Sequence, residues 1–464
     1  MHTRNHTIDL TQGGIFRRLF QVAAPLIGTQ VLQMAYNLTD MFWLGQVGSD
    51  AVASVGTAGM FIWLSMAFLM MGRMGAEIGV SQQLGRGDVA GARAFSENAL
   101  FLSVVAGTAF ALFVFVLRHP LIGVFRIQEA HVAHDAALYL GVVAVGMPAA
   151  FFSGAVTGVF NGAGASRIPF VTGGVGIVLN MVLTPLFIFR FGFGMVGAAW
   201  ATVVAQVVVL VLNLLAVRNL SVRPFSDLRV FRKPDMARLQ QIFKWTLPIA
   251  TESAVFTLLS MIIGRFVAAF GADALAVQRI GIQLESLSWL IAGGFSSALT
   301  AFAGQNYGGG RWDRIHRGAQ LSLRLMLCWG VVATVVPLIL GRQMFSLFVS
   351  DEAVIQEGIR FLWILSVCQV FMCLEFWAAG LFRGLGKTMP PFVATLIGNA
   401  LRVPLSYLLS LTTLGVAGLW WGIALGACLR GGILVAWYMG YTRRLPRGQV
   451  VVGEGTVSVE DGLL

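Results

Sequence analysis

AVASVGTAGMFIWLSMAFLMMGRMGAEIGVSQ, residues 51–82, carries only two charges, Arg73 and Glu77. A helix needs about 20 mostly apolar residues to cross the hydrocarbon of a bilayer, and this run is long enough. Runs of the same kind recur on both sides of it. Twelve are legible, at 17–45, 51–82, 95–117, 132–160, 168–190, 193–217, 242–269, 275–305, 318–341, 355–382, 391–412 and 415–441, separated by short turns rich in Gly, Pro, Asp or Arg. The expected fold class is therefore an all-α integral membrane protein of twelve transmembrane helices.

Composition agrees. Of 464 residues, 57% are hydrophobic and 11% charged, against roughly 25% charged in soluble globular chains. A formal charge of +11 does not point to nucleic acid, because the charges are scattered between apolar runs rather than gathered on one soluble face. The six His residues sit in termini or polar connections, and no metal-ligand or phosphate-binding motif accompanies them, so neither metal catalysis nor a resident cofactor is expected. Cys328, Cys368, Cys373 and Cys428 all lie in apolar segments and read as buried free thiols. The opening MHTRNHTIDLTQ is too polar for a cleaved signal peptide, so the first apolar segment should be retained.

Basic residues set the orientation. Placing the N-terminus, the loops after even-numbered helices and the C-terminus on one side collects most of the 32 Lys and Arg residues there, which makes that side cytoplasmic. The richest stretch holds Arg218, Arg223, Arg229, Arg232, Lys233 and Arg238. It divides the chain into an N-terminal lobe (1–217), a basic cytoplasmic inter-lobe loop (218–241), a C-terminal lobe (242–441) and a cytoplasmic tail (442–464). The expected location is the plasma (inner) membrane, as a monomer.

The two lobes repeat each other. A shift of 223 places Pro25 on Pro248, Gly48 and Asp50 on Gly271 and Asp273, Gln82 on Gln305, and Gly85 and Gly87 on Gly308 and Gly310. With a slightly drifting offset, Gly162 meets Gly384, Pro169 meets Pro391, Asn180 and Pro185 meet Asn399 and Pro404, and Trp200 meets Trp420. Six helices per lobe bring both lobes into the membrane from the same side, so the repeats are parallel. That architecture belongs to transporters in which substrate binds between halves that rock against each other. Glycines four apart, Gly154, Gly158 and Gly162, then Gly418, Gly422 and Gly426, should let helix backbones approach closely. Pro25, Pro185, Pro248 and Pro404 should kink their helices.

An ionisable group inside hydrocarbon is costly, so each is a functional candidate whose partner must be named. Five acids qualify: Asp40, Glu77, Glu252, Glu285 and Glu375. Asp40 lies in YNLTDMFWLG, where a carboxylate enclosed by apolar residues can exchange a proton near neutral pH, as a proton antiporter requires. Glu77 follows Arg73 by four residues, a spacing for an ion pair along one helix face. Glu285 has Arg279 and Gln283 nearby in sequence, while Arg402 and Arg430 stand available to Glu252 and Glu375. Met60, Met66, Met70, Met71 and Met74 in the second run suit packing, and also an adaptable pocket.

NLTDMFWLG, VSQQLGRGD, RIGIQLESLSW, GFSSALTAFAGQNYGGGR and GLFRGLGKT, taken together, resemble the multidrug and toxic compound extrusion (MATE) family over roughly residues 15–445. The resemblance implies a V-shaped pair of six-helix lobes that exports amphipathic, often cationic organic compounds or drugs in exchange for protons or sodium ions. It also implies that Asp40 matches the family's first-helix acid, with Asn180 and Thr202 completing an N-lobe cation site. Where members with the full site carry Asp, this chain has Thr184, which removes one negative charge and favours proton over sodium coupling. Glu252 and Glu375 are similar to acids of a second-lobe sodium site in NorM-type members, and Glu252, Glu285 and Glu375 are together the candidate cation or substrate acids of the C-terminal lobe. Lipid-linked sugar flippases are distant relatives, so a flippase or exporter of a lipid-linked or other specific metabolite cargo is the alternative. A lipid-acting enzyme would need clustered His, Asp or Cys at a water interface, and the sequence has none. A non-transporting scaffold or receptor is the third class, separated by whether the protein moves any solute across vesicles.

Overall fold

The computed structural model describes residues 8–125, 129–219, 228 and 234–443. Arg223, Arg229, Arg232 and Lys233 of the inter-lobe loop lie outside the described residues, as does the tail from 444 onward. The described residues form twelve α-helices: α1 (Ile15–Val47), α2 (Ser49–Gly85), α3 (Val89–Gly123), α4 (Ala130–Gly162), α5 (Arg167–Pro185), α6 (Gly194–Asn219), α7 (Met236–Ala268), α8 (Ala272–Gly308), α9 (Trp312–Ser346), α10 (Glu352–Gly384), α11 (Met389–Ser410) and α12 (Val416–Thr442). A short π-helical turn, Leu186–Arg190, follows Pro185. Eleven of the helices are long and apolar enough to cross a membrane. The remaining one, α1, is lowered in hydropathy by Gln30, Gln33, Asn37, Thr39 and Asp40, the residues that make it functionally interesting.

The repeat is visible in the helix lengths. The first four helices of each half run 33, 37, 35 and 33 residues in the same order. Corresponding turns also match: Gly87 and Gly310, which open α3 and α9, have φ of 77° and 66°, in the region that favours glycine. Pro25 and Pro248 both lie inside their helices, and so do Pro185 and Pro404.

Buried apolar side chains form four clusters, and their membership shows how the halves interlock. Leu44, near the end of α1, packs with α2, α4 and α6 of its own half. Leu19, Val22, Ala23 and Leu26, near its start, pack instead with α8, α10 and α12. α7 does the reverse: Leu239, Ile242 and Trp245 sit among α2, α3 and α4, whereas Ile263 and Val267 join α10 and α12. Each half thus lends the opening turns of its first helix to the other half's core, and Pro25 and Pro248 mark the crossover.

The halves are joined most tightly where α2 and α8 end. Gln82 Nε2 donates to the Gly384 carbonyl at 2.9 Å, and Gln305 Nε2 donates to the Gly162 carbonyl at the same distance, two bonds that the repeat relates to each other. A Cβ on Gly308 would lie 1.9 Å from the Gln82 carbonyl oxygen, and one on Gly85 would lie 2.0 Å from that of Gln305. The amino-terminal segment straddles this junction. The Ile8 carbonyl abuts Gly164, and Leu10 is fully buried. The Leu10 amide donates to Gln305 Oε1 at 2.9 Å, and Arg314 donates to the carbonyls of Leu10 at 3.1 Å and Gly13 at 2.9 Å.

Within each half the four-residue glycine spacing works as expected. A Cβ on Gly158 would lie 2.1 Å from the Arg73 carbonyl, and one on Gly418 would lie 2.3 Å from that of Leu409. The thiols need a correction: all four are free, and Cys368 and Cys373 are buried, but Cys328 is exposed and Cys428 partly so. Hydropathy does not separate a helix face turned to protein from one turned to lipid.

Candidate functional site

The first polar centre lies among α1, α5 and α6. On α1, Gln33 donates to Asn37 at 3.3 Å, and Asp40 continues that face one turn on. Opposite it, Asn180 of α5 donates through Nδ2 to Thr202 Oγ1 of α6 at 3.1 Å and accepts from the Thr184 hydroxyl at 3.0 Å. Thr202 in turn donates to the Ala198 carbonyl at 3.1 Å. Asn180 and Thr184 are buried. The three α5 and α6 residues therefore satisfy one another, while Asp40 Oδ1 is buried without a hydrogen-bond partner. Tyr36 and Tyr139 lie within electrostatic reach of the Asp40 carboxylate, and Tyr36 also engages Thr202. Sequence reasoning missed both tyrosines, although Tyr36 stands one turn before Asp40.

A second centre lies among α7, α10, α11 and α12. Glu252 meets Arg383 at 3.4 Å, and Glu375 meets Arg430 at 3.2 Å. The Thr395 hydroxyl lies between the two acids, 3.2 Å from Glu252 and 3.4 Å from Glu375. Arg430 also donates to Asn399, the residue that the repeat pairs with Asn180. Of the two expected arginines, then, Arg430 meets an acid, whereas Arg402 donates to Ser260 at 2.9 Å and lies over the Phe256 ring. The partner of Glu252 is Arg383, which the sequence did not single out. Each of these carboxylates is paired with an arginine, so a cation entering here competes with a charge already in place.

Two further acids have partners other than those expected. Glu77 accepts from Ser297 of α8 at 2.6 Å, a contact across the halves, and makes no ion pair with Arg73. Glu285 accepts from Gln369 of α10 at 3.1 Å rather than from Arg279 or Gln283 of its own helix. Sequence spacing finds neighbours along one helix, and both contacts run between helices. Among the described residues, no group of three or more His, Cys, Asp or Glu side chains is placed to hold a metal ion.

The Glu375 and Arg430 pair gives a direct test of this geometry. Removing one partner of a buried pair strands the other charge, at a cost of about 3–5 kcal/mol. Arg430→Ala should therefore lower the melting temperature of the purified protein sharply, and Arg430→Ala combined with Glu375→Ala should recover part of the loss. Equal melting for the single and double variants would show that the pair is not coupled.

Two interlocked six-helix halves, each with a polar centre enclosed by membrane-spanning helices, define a polytopic membrane transporter. The MatE family model matches residues 25–186 and 248–408, one match in each half. The chain belongs to that family. It is 27% identical to a probable multidrug resistance protein NorM of Thermotoga maritima, covering 92% of both chains. It is also 26% identical to the multidrug resistance protein PmpM of Pseudomonas aeruginosa, covering 88% of both. Among solved structures, the fold is similar to an outward-facing multidrug resistance MATE family transporter, with a TM-score of 0.88 at 21% identity over 96% of this chain and 99% of that one. The fold class and the family expected from the sequence are both borne out.

Proposed function

We propose that this chain exports amphipathic, often cationic organic compounds by cation-coupled antiport, with the proton as coupling ion and Asp40 as its carrier. The observation that carries the reading is the buried, unpartnered Oδ1 of Asp40. A carboxylate so placed is costly when charged and uncompensated, so proton binding and release there is linked to whether water reaches the site. The hydroxyl at Thr184 supports the choice of ion. It is neutral, so among Asp40, Asn180, Thr184 and Thr202 a sodium ion would meet one carboxylate, that of Asp40. The chain's relatives, named as multidrug resistance proteins, support the substrate class. In the proposed topology both termini are cytoplasmic, so the tight α2 and α8 junction closes the cytoplasmic side; the lobes, loop and tail divide near the expected boundaries of 217, 241 and 441, with α6 ending at Asn219, α7 opening at Met236 and α12 ending at Thr442.

The test is uptake of a fluorescent cationic dye into inverted membrane vesicles, with a pH gradient and a sodium gradient imposed in turn. Dye movement with the pH gradient alone is expected. Movement with sodium alone would transfer the coupling role to Glu252 and Glu375. Movement with neither would overturn the reading in favour of a lipid-linked cargo.

A further inference from the structure

The second half contains a cavity that neither polar centre uses. It lies among α8, α9 and α10, has a volume of about 90 Å³, and is lined by Glu285, Ser288, Trp329, Val332, Val336 and Gln369 with other apolar side chains. That is several times the roughly 10–15 Å³ that one water needs. Its rim is open on the outer face of the bundle, where Val332 and Val336 are 45% and 38% exposed. In a membrane that face meets lipid.

The wall is apolar except at Glu285, Ser288, Ser366 and Gln369; the Ser366 hydroxyl is committed to the Leu362 carbonyl at 2.7 Å, and each of the other three lacks something. Gln369 is 4% exposed and its Oε1 has no hydrogen-bond partner; Ser288 is 8% exposed and its Oγ has none either. Glu285 accepts one bond, from Gln369 Nε2 at 3.1 Å, and has no cation within ion-pair distance. Arg402 and Arg430 act on it only from farther away, being engaged with Ser260 and Glu375. Buried polar atoms in hydrocarbon are costly when unsatisfied, so two at one cavity, Gln369 Oε1 and Ser288 Oγ, beside a carboxylate with no cation, call for a ligand that donates hydrogen bonds. A primary ammonium has three N–H donors and a positive charge, and Trp329 beside it supplies an aromatic surface for the attached apolar chain.

The geometry points to a lateral binding site in the second half, at Glu285, Ser288 and Gln369, for the ammonium group of an amphipathic amine that enters from the lipid. The ligand class rests on the proposed function, while the site is separate from Asp40 and from the Glu252 and Glu375 centre. It offers an amine already dissolved in the bilayer a place on the protein without passage through water.

The experiment uses the full chain in lipid nanodiscs and a photoreactive diazirine alkylamine, compared with the alcohol of the same chain. The amine should label peptides of α9 between Trp329 and Met344, unlabelled amine should compete, and the alcohol should label them at least tenfold less. Glu285→Gln should reduce amine labelling about tenfold, by removing a charge-assisted contact. Ala333→Phe, which fills the cavity and leaves the acid, should abolish it. Equal labelling by amine and alcohol would overturn the proposal and assign the cavity to lipid tails. Amine labelling unchanged in Glu285→Gln would overturn it as well. If Glu285→Gln does not fold, the amine and alcohol comparison and Ala333→Phe decide. Dye transport by the same variants in inverted membrane vesicles keeps the two readings apart. Amine-selective labelling without transport overturns the exporter reading and keeps the site; transport without such labelling does the opposite.

Discussion

Asp40→Asn is expected to reduce gradient-driven dye movement to the level of vesicles lacking the protein, while membrane insertion and melting temperature stay near those of the unaltered chain. Asparagine matches the shape of the carboxyl but does not exchange a proton, so the coupling step is lost rather than weakened. Stability should change little, because Oδ1 makes no hydrogen bond that the substitution would break. The amide even removes the cost of a buried charge, on the order of a few kcal/mol in hydrocarbon. Transport at the unaltered rate in Asp40→Asn vesicles would remove Asp40 from the mechanism. Transport lost together with insertion would make it a structural residue.

Gly308→Leu should be the most disruptive substitution at the junction of the halves. Its Cβ would lie 1.9 Å from the Gln82 carbonyl oxygen, which belongs to helix backbone and does not move aside. Overpacking of this kind costs about 1–3 kcal/mol even where side chains adapt, and here α2 and α8 have to separate. That separation also strains the paired bonds Gln82 to Gly384 and Gln305 to Gly162. We expect a drop of several degrees in melting temperature and at least a tenfold loss of dye movement. Gly432→Leu is the control, since nothing lies within 4 Å of a Cβ there, and it should behave like the unaltered chain. Equal tolerance of both substitutions would show that the junction opens freely.

What the sequence disclosed and what it withheld follow from the kind of signal each rests on. Helix existence was legible because lipid demands long apolar runs, and the repeat was legible because prolines and glycines at bends and crossings leave marks at fixed offsets. The acid at 40 was legible because a carboxylate in such a run has no bland solvent-facing role. Partners were not. Glu252 meets Arg383 and Glu285 meets Gln369, residues more than 80 positions away, and a helix apolar on every side does not announce which face meets which neighbour. The same blindness hid the exposure of Cys328 and the crossing of α1 and α7 into opposite cores, since Leu19 and Leu44 look equally apolar in the sequence.

That crossing bears on how the chain is made. When α1 leaves the ribosome, the surface that will bury Leu19, Val22 and Leu26 does not yet exist, because α8, α10 and α12 are synthesised hundreds of residues later. The opening turns of α1 must wait in the bilayer, unmatched, until the last helix is inserted, whereas α7 finds its receiving surface already built. Biogenesis is thereby asymmetric in a molecule whose finished halves are nearly equivalent, and neither half is a self-sufficient folding unit.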